Sequence, residues 1–158
     1  AMSQHFVKTD IQVRFNDFDV LGHLNNATYS TYIELARVHF YRDVLGMDLT
    51  QITGVVSNFN IDFKRPIKYG TPISVLSRAE TECGRFVNMT FLFANANDVN
   101  KVYAQATQRM VAVDPQTSQL SNLPKRVQRD MELLMSGEQA HPAVVMLGGG
   151  EASMGKVG

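Results

Sequence analysis

Apolar and polar residues alternate with period two in five stretches of the chain and with a helical period in two. From Thr9 to Phe15, Ile11, Val13 and Phe15 alternate with Asp10, Gln12 and Arg14, the pattern of a half-buried strand. Tyr29, Ile33, Ala36, Phe40 and Val44 then recur at spacings of three and four, which predicts a helix with one face on an apolar surface. Asn25 or Asn26 can cap its start and Gly46 can stop it, so it runs for about twenty residues, or ~30 Å. Extended patterns resume at Val55–Lys64, Ile73–Glu82, Arg85–Ala94 and Val102–Val113. Cys83-Gly84 and the segment Asn95–Asn100 supply turns. Pro124, followed by Val127, Met131 and Leu134, predicts a short closing helix.

One early helix and a run of long strands make an α+β domain. About five antiparallel strands wrap around the long central helix and bury its stripe. Such a sheet leaves an exposed edge, and pairing with a second copy about a two-fold axis covers it. The boundaries read from the pattern are a short N-terminal segment 1–8, a single domain 9–136, and a Gly-rich mobile tail 137–158. Ala1 ahead of Met2 reads as a cloning remnant.

Composition narrows the function. The chain has 158 residues, 44% hydrophobic and 19% charged, enough for one core. Fifteen basic and fifteen acidic side chains cancel, so no global field draws it to nucleic acid or to a membrane surface. No apolar run is long enough for a membrane span, and the lone Cys83 allows no internal disulfide, which fits a reducing cytoplasm. The methionines, among them Met47, Met89, Met110, Met131 and Met135, suit gap-filling in the core. No metal-ligand spacing, Ser-His-Asp order or phosphate-cradling loop is present, so no cofactor or metal is expected.

The chemistry is concentrated in Asp17-Phe18-Asp19-Val20-Leu21-Gly22-His23-Leu24-Asn25-Asn26, a loop that opens into the long helix. Asp19 either caps that turn or serves as base or nucleophile. Asp17 suits turn hydrogen bonds or an ion pair with Arg14, or it shares a proton with Asp19. Gly22 permits a positive φ or a close approach to substrate. His23 is either a hydrogen-bonded structural residue or an aid to catalysis. Asn25 and Asn26 can cap the helix, and the unpaired backbone N–H groups at its start can polarise a carbonyl. Glu34 and Arg37 are spaced for an ion pair on the helix. Lys64, Arg65, Lys68 and Arg85 form the main basic group outside the last helix, fit either to hold phosphates or to keep a strand edge soluble.

The run Val13–Asn26, with Tyr29 and Glu34-Leu35-Ala36-Arg37, resembles the hotdog-fold acyl-CoA thioesterases, in particular the 4-hydroxybenzoyl-CoA thioesterase-like group. Phe63–Gly70 and the ending Ala112-Val113-Asp114, then Leu123-Pro124, match it too, so the resemblance spans about residues 8 to 135. It implies a cofactor-free hydrolase of acyl thioesters, a homodimer or homotetramer with its sites at subunit interfaces. In the D-x-D-x-x-G pattern the second acid, Asp19, is the catalytic carboxylate, and the amide of Asn26 polarises the thioester. A branch of the family uses a helix acid, for which Glu34 is the candidate. The resemblance also brings Ser57, Asn58 and Asn60 to the partner's side of the site. Thr71 departs from the pattern, where many relatives carry Asp.

The implied substrate is acyl-CoA, or the thioester of an acyl carrier protein. The rival readings are a hotdog enoyl-thioester hydratase or dehydratase using His23 and Glu34, and a non-catalytic acyl-binding dimer in which Asp19 only caps.

Overall fold

The computed structural model describes residues 3–48, 50 and 53–148. Six strands form one antiparallel sheet: β1 (Gln4–Ile11), β2 (Thr53–Phe63), β3 (Ile73–Glu82), β4 (Phe86–Asn95), β5 (Asp98–Val113) and β6 (Val144–Leu147). Their spatial order is β2-β5-β4-β3-β1-β6, so β2 and β6 are the edges. The helix α1 (Asn26–Val38) lies in the concave face and α2 (Lys125–Ser136) packs against β1 and β3.

The apolar stripe of α1 is buried as its spacing predicts. Tyr29, Ile33, Ala36 and Phe40 are at most 3% exposed and join Ile73, Val75, Met89, Phe91 and Phe93 from the sheet in one core. Each such large side chain contributes roughly 1.5–3 kcal/mol by leaving water. A second, smaller apolar cluster (Phe6, Leu76, Leu92, Val102 and Leu147) lies on the opposite face of the sheet. Strands β3 and β4 therefore carry apolar residues at consecutive positions instead of alternating.

The structure changes several details of this pattern. The first strand runs from Gln4 to Ile11, not Thr9 to Phe15, because Asp17 takes the Arg14 amide at 3.0 Å and pulls the chain into a 3₁₀ turn at Phe15–Asp17. Phe15 is consequently 75% exposed. The helical run does continue past Val38 as expected, but from His39 to Val44 it is π-helical, ending with the Leu45 amide on the Phe40 carbonyl. The sheet has six strands rather than about five. Val144–Leu147, inside the stretch expected to be a mobile tail, pairs with β1 and covers its edge. Met110 is half-buried beside a cavity, whereas Met47, Met89, Met131 and Met135 are in the core. The remainder of the expected tail, 149–158, and Ala1 lie outside the described residues.

Candidate active site

Asp17 is the anchor of the motif loop. Its carboxylate accepts from the Tyr32 hydroxyl at 2.6 Å, the Arg14 amide at 3.0 Å and the Arg14 guanidinium at 3.2 Å, and the side chain is 5% exposed. Its carbonyl accepts from the Asn25 amide at 2.8 Å, which ties the loop to the start of α1. Burial works to raise the Asp17 pKa, but the donors from Tyr32 and Arg14 outweigh it and hold the carboxyl below the usual carboxylate range. Burial and the Asp17 carboxylate push the Tyr32 hydroxyl up. The expected Arg14–Asp17 pair is thus present. A proton shared with Asp19 is not what this environment favours, since Asp17 is held ionised.

Asp19 sits exposed at the next turn. One carboxylate oxygen, Oδ1, accepts from the amides of Leu21 at 2.9 Å and His23 at 3.1 Å. The other oxygen makes no hydrogen bond among the described residues, and the side chain lines an open depression with Phe15, Phe18, Val20, Gly22 and Tyr69. The capping reading of Asp19 is therefore realised by half of the carboxylate, with the other half left available. Gly22 takes φ +75°, as this tight loop requires, and no atom lies within 4 Å of where a Cβ would be. His23 serves the loop through its backbone, donating to Asp19 Oδ1 and accepting from the Asp19 amide at 2.8 Å.

Asn25 is the N-cap, its Oδ1 accepting from the Ala27 amide at 3.3 Å. Asn26 opens the helix, and its N–H has no hydrogen-bond partner among the described residues. Asp19 lies in a short hairpin closed by the Phe18–Leu24 bridge, and Asn26 follows that hairpin by two residues at the start of α1.

The second motif runs along the first. The Leu24 amide donates to the Ile67 carbonyl at 2.7 Å and the Tyr69 amide to the Gly22 carbonyl at 2.9 Å, with His23 bridged to Lys68. This brings Lys64, Arg65 and Lys68 beside the Asp19 loop. They line a depression of about 430 Å³ together with Lys101 and Tyr103 of β5. Sequence reasoning missed Lys101; the signal was the pairing of Phe63 with Ala104, which sets the start of β5 against the end of β2.

Other expected site residues are not brought to this place. Arg85 lies at the β3–β4 turn, its carbonyl accepting from the Ala112 amide. Nine residues of β5 separate Ala112 from Tyr103, roughly 30 Å along a strand. Asn58 and Asn60 pair with Arg109 and Thr107, on the sheet face turned away from α1, and Ser57 forms a bulge with its hydroxyl on the Arg109 carbonyl. Glu34 is exposed on α1, about 12 Å along the helix from Asn26. Arg37 does not pair with it and donates to Gln108 Oε1 at 2.9 Å instead. Among the described residues no three His, Cys, Asp or Glu side chains converge as metal ligands do. No described helix is long and apolar enough to cross a membrane.

Residues 13–131 match the family model described as "Thioesterase-like superfamily". YneP of Bacillus subtilis, provisionally named an acyl-CoA thioesterase, is 24% identical over 117 residues, 72% of this chain and 83% of that protein. Among solved structures, the PA5185 protein of Pseudomonas aeruginosa is similar with a TM-score of 0.73 at 20% identity, covering 81% of this chain and 90% of its own. A thioesterase of Thermus thermophilus, solved with coenzyme A and zinc, gives a TM-score of 0.67 at 26% identity, covering 81% of this chain and 93% of its own. The sheet curled around one long helix is the hotdog architecture that the motif resemblance implies.

Proposed function

The chain belongs to the thioesterase-like superfamily, and from that premise we propose that it hydrolyses acyl-CoA thioesters to free acid and CoA. The observation that carries this reading is one short loop with a carboxylate oxygen of Asp19 left uncommitted, leading directly into the Asn26 N–H that has no hydrogen-bond partner among the described residues. The amide, at the positive end of α1, donates to the thioester oxygen as charge builds on it. One such donor is worth roughly 3–4 kcal/mol of barrier. Asp19 then acts in one of two ways. As general base it takes a proton from water, whose oxygen adds to the carbonyl carbon. As nucleophile it adds directly, and water hydrolyses the resulting anhydride. In both, collapse of the tetrahedral species breaks the C–S bond and CoA leaves as thiolate, so a full triad is unnecessary.

The basic depression formed by Lys64, Arg65, Lys68 and Lys101 beside the loop suits the phosphates of CoA. A dimer is part of the reading. Edge strand β2 exposes Val55, Val56, Phe59 and Phe63 at 41–53%, an apolar edge of the kind that pairs with another strand. A cytoplasmic location suits the exposed, unpaired Cys83.

Asp19→Asn tests the proposal cleanly, because an asparagine Oδ1 can still accept from Leu21 and His23 and hold the turn. The expected result is a fall of about 10²-fold or more in free-thiol release from a panel of acyl-CoAs, with unchanged thermal stability. Equal activity in a folded variant removes Asp19 from the mechanism. Turnover of enoyl-CoA by hydration, without thiol release, would favour a hydratase instead.

A further inference from the structure

A second cavity, of about 180 Å³, opens at the other end of α1. Its apolar wall includes Val38, Val87, Val111 and Leu123, and two polar side chains, Arg37 and Tyr41, reach it from the helix. Both polar groups are poorly matched. Arg37 is half-buried and donates to the neutral Gln108, itself 7% exposed, and among the described residues no carboxylate lies within 4 Å of it. The hydroxyl of Tyr41, a residue 8% exposed, donates a hydrogen bond to the thioether of Met89 at 3.6 Å, a weak acceptor. A guanidinium drawn out of water without an anion is costly, so the cavity is electrostatically set for one. Tyr41 is carried by the π-helical turn His39–Val44, a local distortion of the kind found frequently at functional sites.

The helix direction connects this cavity to the chemistry. The ring of Tyr29, early in α1, packs 4.9 Å from Phe63 at the end of β2. The cavity holds Val38 and Tyr41 together with Gly54, at the start of β2. Thus α1 runs antiparallel to β2. In a two-fold dimer with antiparallel β2 edges, the Phe63 end of one protomer lies beside the Gly54 end of the other. The motif loop of one copy is thereby brought toward the Arg37 cavity of its partner.

We propose that this cavity receives the end of the acyl group distal to the thioester, and that Arg37, assisted by Tyr41, selects acyl groups ending in a carboxylate. The inference rests on the thioesterase and dimer readings above. A cavity of ~150 Å³ holds a benzene-sized body, so a carboxylate with a few carbons behind it fits, and the substrate class is the half-thioesters of dicarboxylic acids. The acyl carboxylate would supply the anion that Arg37 lacks.

The test compares adipoyl-CoA with hexanoyl-CoA, equal in length and differing in the terminal carboxylate. Wild type should show kcat/KM for adipoyl-CoA about tenfold or more above hexanoyl-CoA, and Arg37→Met should erase or reverse that ratio while retaining dimer mass. Tyr41→Phe, which keeps the cavity's shape, should lower the ratio about threefold and decides the matter if Arg37→Met does not fold. A wild type that favours hexanoyl-CoA or treats the two alike overturns the proposal, as does a folded Arg37→Met with an unchanged ratio. Titration calorimetry with the thioether analogues of the same two esters separates the claims. Tighter binding of the carboxylate-bearing analogue without any hydrolysis would refute the thioesterase reading and support this one. Equal affinities would refute the carboxylate selection whatever the activity.

Discussion

Removing one oxygen, by Tyr32→Phe, probes the anchor on which the motif loop depends. The Tyr32 hydroxyl donates at 2.6 Å to the buried carboxylate of Asp17, a short bond to an ionised acceptor. Hydrogen bonds to charged groups contribute about 1.5–3 kcal/mol, and here the acceptor, in a residue 4% exposed, cannot recruit water to replace the lost donor. In a domain of this size that corresponds to a fall in Tm of roughly 4–10 °C. The pH dependence follows from the depressed pKa of Asp17. A carboxyl whose folded pKa lies below its unfolded value stabilises the fold above the unfolded pKa, about 4, and loses that contribution as pH falls through the folded pKa. Phenylalanine removes one cause of the depression. The gap between wild type and variant should therefore be full at pH 7 and narrow below pH ~4 as the carboxyl protonates in both. Melting curves from pH 7 to 3, followed by circular dichroism, measure it. A Tm at pH 7 within about 1 °C of wild type, or a gap that stays constant on acidification, would refute the assignment of Asp17 as an ionised structural anchor.

Three further changes probe the neighbouring elements. Gly22→Ala places a side chain at φ +75° with open space around it, so the cost is backbone strain alone, about 1–2 kcal/mol by melting. Its effect on turnover should exceed that loss, because the Asp19 hairpin closes through this residue. Lys101→Ala should raise KM for acyl-CoA several-fold with kcat nearly unchanged, and the effect should shrink in high salt. If KM does not move, Lys101 has no part in holding phosphate. Phe59→Lys puts a charge on the exposed edge strand and should shift the mass seen by light scattering from dimer to monomer, with activity lost. An unaltered dimer would place the interface elsewhere.

What was legible in the sequence follows from how local its causes are. The helix stripe from Tyr29 to Phe40 was readable because it buries a periodic face, and the strands Ile73–Glu82 and Arg85–Ala94, to within a residue, because turn formers bound their apolar runs. The motif loop was readable because the bonds that set its own turn join residues at most fifteen apart, as in Tyr32 to Asp17, and only its links to Ile67 and Tyr69 are long-range. The first strand was misplaced at its end by the local Arg14–Asp17 turn and at its start by packing. Phe6 and Val7 are buried on opposite faces, against separate clusters, so no alternation marks the strand's start. The strand Val144–Leu147 is four residues in a Gly-rich context and exists only because β1 needs a neighbour. Lys101 entered the basic group, and Arg85 left it, through the register of β5, which no short window of sequence contains.

The two acids of the motif show how one loop obtains an anchored and an uncommitted carboxylate from the same residue type. Asp17 and Asp19 are two positions apart, yet the first has three donors and is buried while the second has two donors on one oxygen and is exposed. The buried site is affordable only because Tyr32 and Arg14 supply the hydrogen bonds that water would have made. Those bonds keep Asp17 ionised and immobile, and through its carbonyl they fix Asn25 and hence the orientation of the Asn26 amide. Asp19 can then keep one oxygen uncommitted without the loop losing its shape, since its other oxygen and the Gly22 turn hold the hairpin. Exchanging the environments would fail on both counts: a fully bonded Asp19 is a weak base, and a half-bonded Asp17 is a costly buried charge. The order of the acids therefore follows from which of them faces the core, and the catalytic role proposed for Asp19 draws on burial and donor count as well as on the motif resemblance.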